Sequence, residues 1–311
     1  MKKKLIYFMV LAFATLQGRT QTAEEREKVF TTMQPYIISI GTTIIDTIVE
    51  KGRKKSVIRY ISVGSGLITY VPHNGLKTIA IITAAHVTDF FKKKGLTSLM
   101  IRPQTADTLK TTDYFGEEIP LNNIIRYPDS LVDLSCILAA DTFLLGKNFD
   151  LDNIKLFPIN SLSVPYLGDQ VWIGGYPSHV ENNFQKDFYY NIATLKPGYI
   201  AWKPSATQKN PQLNHITLVE SNATFGNSGG PVFWSNWAPI NDSIVESNIY
   251  LAGIMVAIYE ETETVFAGDR PAVDKGSNQT LVAKGRSGVS IIEKAEYVRK
   301  LIEFVIKKIK K

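Results

Sequence analysis

Gly226-Asn227-Ser228-Gly229-Gly230-Pro231-Val232 is the stretch that decides how this 311-residue sequence is read. Glycine tolerates positive φ, so a serine flanked by glycines can sit on a tight turn with successive backbone N–H groups facing one side. Such a nest suits an oxyanion, and each donor in it is typically worth about 10²–10³ in rate. Pro231 suits the first residue of a strand. The stretch therefore reads as a turn feeding a strand, with Ser228 as a candidate nucleophile.

A serine hydroxyl is inert near neutral pH without a base. The four histidines, His73, His86, His179 and His215, all precede Ser228. Gly226-x-Ser228-x-Gly230 also fits the nucleophile elbow of α/β-hydrolases, but there the histidine follows the serine, so that reading fails. His86 closes Ile81-Ile82-Thr83-Ala84-Ala85-His86-Val87, which reads as a strand entering a tight turn, with two alanines packing closely behind the imidazole. Asp133 lies in Leu131-Val132-Asp133-Leu134-Ser135-Cys136-Ile137-Leu138. A carboxylate in so apolar a segment is costly unless hydrogen-bonded or paired, and a histidine N–H is the natural partner.

Ala84-Ala85-His86, Asp133-Leu134-Ser135 and Gly226-Asn227-Ser228-Gly229-Gly230-Pro231 together resemble the three signatures of trypsin-like (chymotrypsin-fold) serine peptidases. The likeness is strongest to the bacterial branch that includes the HtrA and glutamyl-endopeptidase groups, as a single protease domain without the peptide-binding domains of HtrA-like proteins. It runs from about Ile37 to Val305. It implies an all-β fold of two antiparallel six-stranded β-barrels, over about 36–150 and 151–290, and a C-terminal helix over 291–311. It also implies a His86, Asp133, Ser228 triad between the barrels, acting through an acyl-enzyme on peptide bonds, with the N–H groups of Gly226 and Ser228 as oxyanion hole.

The same resemblance places the substrate pocket at Asn222, Thr224, Met255, Val256, Ala257 and Gly288, with Asn222 at its floor. Asn222 is uncharged, so Lys or Arg before the scissile bond is disfavoured and a small, aliphatic or otherwise uncharged side chain is expected. Val256 stands where many relatives carry a hydroxyl that steadies the aspartate. Asn227 stands where animal trypsins carry an aspartate that pairs with a freshly cut N-terminus, so no cleavage beyond signal removal is expected. A catalytically silent binding protein and an esterase on the same fold are the alternatives.

Met1-Lys2-Lys3-Lys4 followed by Leu5 through Leu16 reads as a secretory signal peptide over residues 1–20, and hence an exported, periplasmic or secreted protein. Removing Lys2, Lys3 and Lys4 lowers the formal charge from +6 to +3, which gives no case for nucleic acid. Protein or peptide substrates are the expected partners, without stable membrane insertion. No clustered metal-ligand spacing or phosphate loop is present, so neither metal nor cofactor is expected. The single cysteine, Cys136, excludes an intramolecular disulfide and reads as packed rather than reactive.

Thr22-Ala23-Glu24-Glu25 reads as a capping box for a short helix ending before Pro35. Strands are expected over 36–50, 56–70, 78–83, 99–102, 131–139, 169–177, 191–200, 216–219 and 250–258. Residues 51–55 read as a solvated hairpin tip and 203–214 as a loop. The polar insertion 260–286 reads as a surface loop or a lid. Ser290-Ile291-Ile292-Glu293 reads as a second capping box opening the last helix. Ile291, Ala295, Val298, Ile302, Val305 and Ile309 form its apolar stripe, which would dock on the second barrel.

Overall fold

Alternation of branched apolar and polar residues carries most of the described residues into strands. The computed structural model describes residues 27, 30–50, 52–73, 76–103, 116–139, 156–158, 160–177, 193–205, 210–236, 248–264, 266–267, 270–271 and 282–310. Two units divide at residue 33. In the first, residues 30–33 are helical and the Thr31 hydroxyl donates to the Glu27 carbonyl at 3.0 Å. The signal peptide, the first capping box and His179 lie outside the described residues.

The second unit holds both sheets. β1 (Ile37–Glu50) and β2 (Arg53–His73) form a long hairpin, paired from Ile37↔Leu67 out to Glu50↔Arg53 with a one-residue register shift between Ile40 and Gly41. The expected tip at 51–55 is narrower than its charge suggests, because Arg53, Lys54 and Lys55 are exposed strand residues. β3 (Leu76–Ala84) follows β2, and β4 (Ser98–Pro103) pairs with the inner end of β1. β5 (Glu117–Pro120), β6 (Ile124–Arg126) and β7 (Leu134–Leu138) complete a sheet ordered β5-β4-β1-β2-β3-β7-β6. The two-barrel architecture holds with one difference. The first barrel-like sheet has seven strands rather than six among the described residues, and its end strands β5 and β6 do not pair. Pro120 lacks an N–H and Leu121–Asn123 make a 3₁₀ turn, so one stretch becomes two short strands at opposite ends.

The second sheet closes. β8 (Gln170–Gly175), β9 (Thr194–Trp202), β10 (Ile216–Ser221), β11 (Pro231–Asn236) and β12 (Asn248–Thr264) precede the small pair β13 (Phe266–Ala267) and β14 (Arg270–Pro271). With β15 (Val282–Lys294) the barrel runs β10-β15-β12-β11-β8-β9 around a core that includes Val171, Ile173, Val219, Val232, Met255 and Ile292. Burying each such side chain is worth about 1.5–3 kcal/mol. The insertion 260–286 is not a plain loop where it is described. β12 and β15 keep pairing outward from Glu260↔Arg286 to Thr264↔Val282, as the alternation Glu261-Thr262-Glu263-Thr264 permits.

α1 (Ala85–Lys93) follows β3, and α2 (Pro211–Asn214) is a single turn inside the expected loop 203–214. The Asn210 side chain caps α2 by accepting the Gln212 N–H at 3.0 Å. The last helix, α3 (Ala295–Ile309), starts four residues later than the sequence suggests. Residues 290–294 are held in the barrel instead, with Ile216↔Glu293 on one side and Ile254↔Glu293 on the other. The second capping box is therefore not formed, and Lys294 precedes α3 without a side-chain cap. Ala295, Val298, Ile302 and Val305 are buried as the stripe predicts, whereas Ile291 belongs to β15. The helix does not dock on the second barrel alone: it packs on β2 and β7 as well as on β12 and β15.

Candidate active site

The register of β3 against β7, with Ala84 opposite Leu134, brings the start of α1 beside Asp133. His86 thus sits in the first turn of a helix rather than in a tight turn, and Ala84 and Ala85 behind it are fully buried. Asp133 grips this turn at three points. Its carbonyl accepts the Ala85 N–H at 3.1 Å, Oδ1 accepts the His86 N–H at 2.9 Å, and Oδ2 accepts from His86 Nδ1 at 2.6 Å. Burial pushes the Asp133 carboxyl up, but the hydrogen bonds and charge of His86 and the charge of Arg126 outweigh it and leave the group below its ordinary value. Arg126 also reaches Asp89 of α1 at 2.6 Å, tying that helix to β6. An imidazole whose Nδ1–H faces a carboxylate carries its lone pair on Nε2, the arrangement a general base needs.

Ser228 follows a turn built from its own neighbours. The Asn227 N–H donates to the Thr224 carbonyl at 3.1 Å, and Gly226 takes φ 91°, which the third position of a type II turn requires. Asn227 is fully buried, and its Oδ1 accepts both the N–H and the hydroxyl of Thr224 at 3.0 Å. The N–H groups of Gly226 and Ser228 donate to no protein acceptor among the described residues. Gly229 has φ 81°, and a Cβ there would lie 2.0 Å from Thr83 Oγ1, so no side chain fits.

One buried serine ties this turn to the first sheet. The Ser65 N–H donates to the Ser228 carbonyl at 2.8 Å. The Ser65 hydroxyl donates to the Gly226 carbonyl at 2.6 Å and accepts the Tyr176 N–H at 2.8 Å. Beside it, the space over Gly64 is bounded by the Val87 side chain and the Ser228 carbonyl, so the residues next to His86 and the Ser228 turn share one wall. Ser228 Oγ makes no hydrogen bond to His86 in this arrangement. Apo sites of this type commonly close that last contact only when substrate is bound.

The residues read as a substrate pocket are distributed unevenly. Asn222 is exposed, Thr224 is half-buried, and Ala257 and Gly288 are partly exposed beside the nearly buried Val256. Met255 is fully buried in the barrel core, and its carbonyl rather than its side chain meets the turn, accepting the Gly229 N–H at 2.7 Å. Lys196, which the sequence gave no reason to single out, reaches from β9 to the Asn222 carbonyl at 3.1 Å and the Thr224 hydroxyl at 2.7 Å. A cation therefore braces the turn from behind. His73 ends β2, at the register position opposite Leu76 of β3.

Among the described residues no three or more of His, Cys, Asp and Glu gather as metal ligands, and no helix is long and apolar enough to cross a membrane. No curated protein sequence matches the chain. Solved structures similar to it include the MamO protease domain from Magnetospirillum magneticum in its apo form, at 13% identity and TM-score 0.44, covering 86% of this chain and 96% of that one. The HtrA-type protease AlgW with a decapeptide stands at 15% and 0.45, covering 89% and 68%. The Rv3671c protease in its inactive form stands at 12% and 0.43, covering 93% and 98%. The family model described as trypsin-like peptidase domain matches residues 64–240, more than half of the chain. By that match the chain belongs to the trypsin-like peptidase family.

Proposed function

We propose that the protein is a serine endopeptidase with Ser228 as nucleophile, His86 as general base and Asp133 as the residue that orients His86. In this reading His86 Nε2 takes the Ser228 proton as Oγ attacks the peptide carbonyl, then returns it to the leaving amine. Asp133 keeps the Nδ1–H tautomer and stabilises the imidazolium. The N–H groups of Gly226 and Ser228 receive the oxyanion of each tetrahedral intermediate, and water releases the acyl group. The observation that carries the reading is the hold of Asp133 on both the main chain and the ring of His86, with the Ser228 turn fastened to the same sheet through Ser65. Lys196 behind Asn222 and Thr224 adds a reason for uncharged rather than basic side chains before the scissile bond. Export by a cleaved leader over residues 1–20 is part of the same proposal.

The test is labelling with a fluorophosphonate probe, wild type beside Ser228→Ala, followed by hydrolysis of a peptide library. Label on the wild type alone, with peptide turnover that Asp133→Asn lowers by about 10⁴, is the expected result. A wild type that takes no label favours a silent binding protein, and one that takes label but cleaves only esters favours an esterase.

A further inference from the structure

The mechanism above makes no use of a buried carboxylate at the seam between the sheets. Glu293 is 1% exposed, and its two oxygens are committed in opposite directions. Oε1 accepts the main-chain N–H of Asp133 at 2.8 Å, and Oε2 accepts from Nδ1 of His215 at 2.8 Å. His215 is itself buried, its carbonyl accepts the Lys294 N–H at 3.0 Å, and its ring meets Tyr297 of α3 edge to face at 5.9 Å. Burial holds the Glu293 carboxyl above its ordinary range against the pull of the Asp133 N–H and His215. A buried carboxylate is tolerated only when its oxygens are bonded, and here both are.

The partners of Asp133 divide by origin. Its carbonyl and both carboxylate oxygens are taken by Ala85 and His86, on the first sheet's side of the cleft. Those bonds join aspartate to histidine but do not fix the pair relative to the barrel that carries Ser228. The Glu293 bond crosses that gap, from a strand locked between β10 and β12. Val256, nearly buried on β12, has no hydroxyl to offer at the position where the resemblance implies one that steadies the aspartate. We propose that Glu293, oriented by His215, is a positioning residue that fixes Asp133, and through it the His86 ring, against the second barrel. The kinetic part of this inference rests on the serine-peptidase reading; the structural part does not.

The experiment therefore has two arms on the full chain. In a Ser228→Ala background, the ring ¹⁵N–¹H shifts of His86 are recorded with Glu293, Glu293→Gln and Glu293→Leu, below the melting temperature of each. Glutamine keeps a carbonyl oxygen for the Asp133 N–H and leucine does not, so the His86 shifts should persist in the first and move in the second. With Ser228 intact, leucine should lower kcat about 10²-fold with KM within about twofold, and glutamine should restore most of the loss. If the leucine variant does not fold, Glu293→Asp takes its place: one methylene shorter, it keeps the charge but withdraws from Asp133, and the same losses are expected. Unmoved His86 shifts in the leucine or aspartate variant overturn the inference. A wild type that no fluorophosphonate labels overturns the peptidase reading instead, and the shifts still decide this one.

Discussion

Removing one hydroxyl at the seam, Ser65→Ala, should cost more than its size suggests. The Ser65 side chain is fully buried and serves two buried main-chain groups, donating to the Gly226 carbonyl and accepting the Tyr176 N–H. Alanine leaves both without partners, and each stranded group costs about 1–3 kcal/mol. The sum, about 2–6 kcal/mol, is a large fraction of a total stability of roughly 5–15 kcal/mol. For a chain of this size 1 kcal/mol moves the melting temperature by about 2–4 °C, so a fall of about 4–24 °C is expected. Thermal and urea unfolding in a Ser228→Ala background, where self-digestion cannot interfere, measure it, and the urea midpoint should drop with an unchanged slope. With Ser228 present, the proposed turnover should fall too, because the freed Gly226 carbonyl lets the Ser228 turn drift. A melting temperature within about 1 °C of the parent would refute the account of Ser65 as the joint between the sheets.

Lys196→Met should lower kcat by about tenfold while leaving KM for uncharged peptides nearly unchanged, since a charged hydrogen bond at a half-exposed site sits near the low end of about 1.5–3 kcal/mol; equal turnover in the two proteins would show that the turn stands without it. Burial pushes the Cys136 thiol up to about 12, so a thiol reagent at neutral pH should modify the unfolded chain and spare the folded one. Acid should separate the two buried carboxylates in melting curves. Asp133 is depressed in the folded state, so its contribution is present above its ordinary value and disappears as pH falls through the lower native one. Glu293 is raised, so its contribution is present in acid and is lost as pH rises through the native value. Accordingly Glu293→Gln should gain on wild type as pH rises above the ordinary carboxylate value of about 4, while Asp133→Asn loses ground as pH rises towards that same value.

The parts of this molecule that could be read from sequence are those whose meaning is local. The nucleophile turn needs its glycines within a few positions of Ser228, and the strand ending at Ala84 announces itself by an unbroken apolar run. Glu293 shows the opposite case. Ser290-x-x-Glu293 has the letters of a helix cap, and only the pairing of β15 with β10 and β12 decides that it is strand. His215 and Lys196 could not be found either, because their partners lie 78 and 28 residues away with no pattern linking them. In the insertion, polarity hid a period-two alternation that the β12–β15 pairing makes visible. The short strands on either side of Leu121–Asn123 carry no alternation long enough to read, and their places at opposite ends of a sheet are set by pairing alone.

The bond from Asp133 to Glu293 spans 160 residues, and that from Ser65 to Gly226 spans 161. At ribosomal rates of about 5–20 residues per second, each earlier partner emerges roughly 8–30 s before the later one exists. During that interval the first sheet can assemble, histidine and aspartate included, with nothing across the cleft to complete it. In the proposed reading such an enzyme stays unfinished until its final barrel strand arrives beside the first sheet.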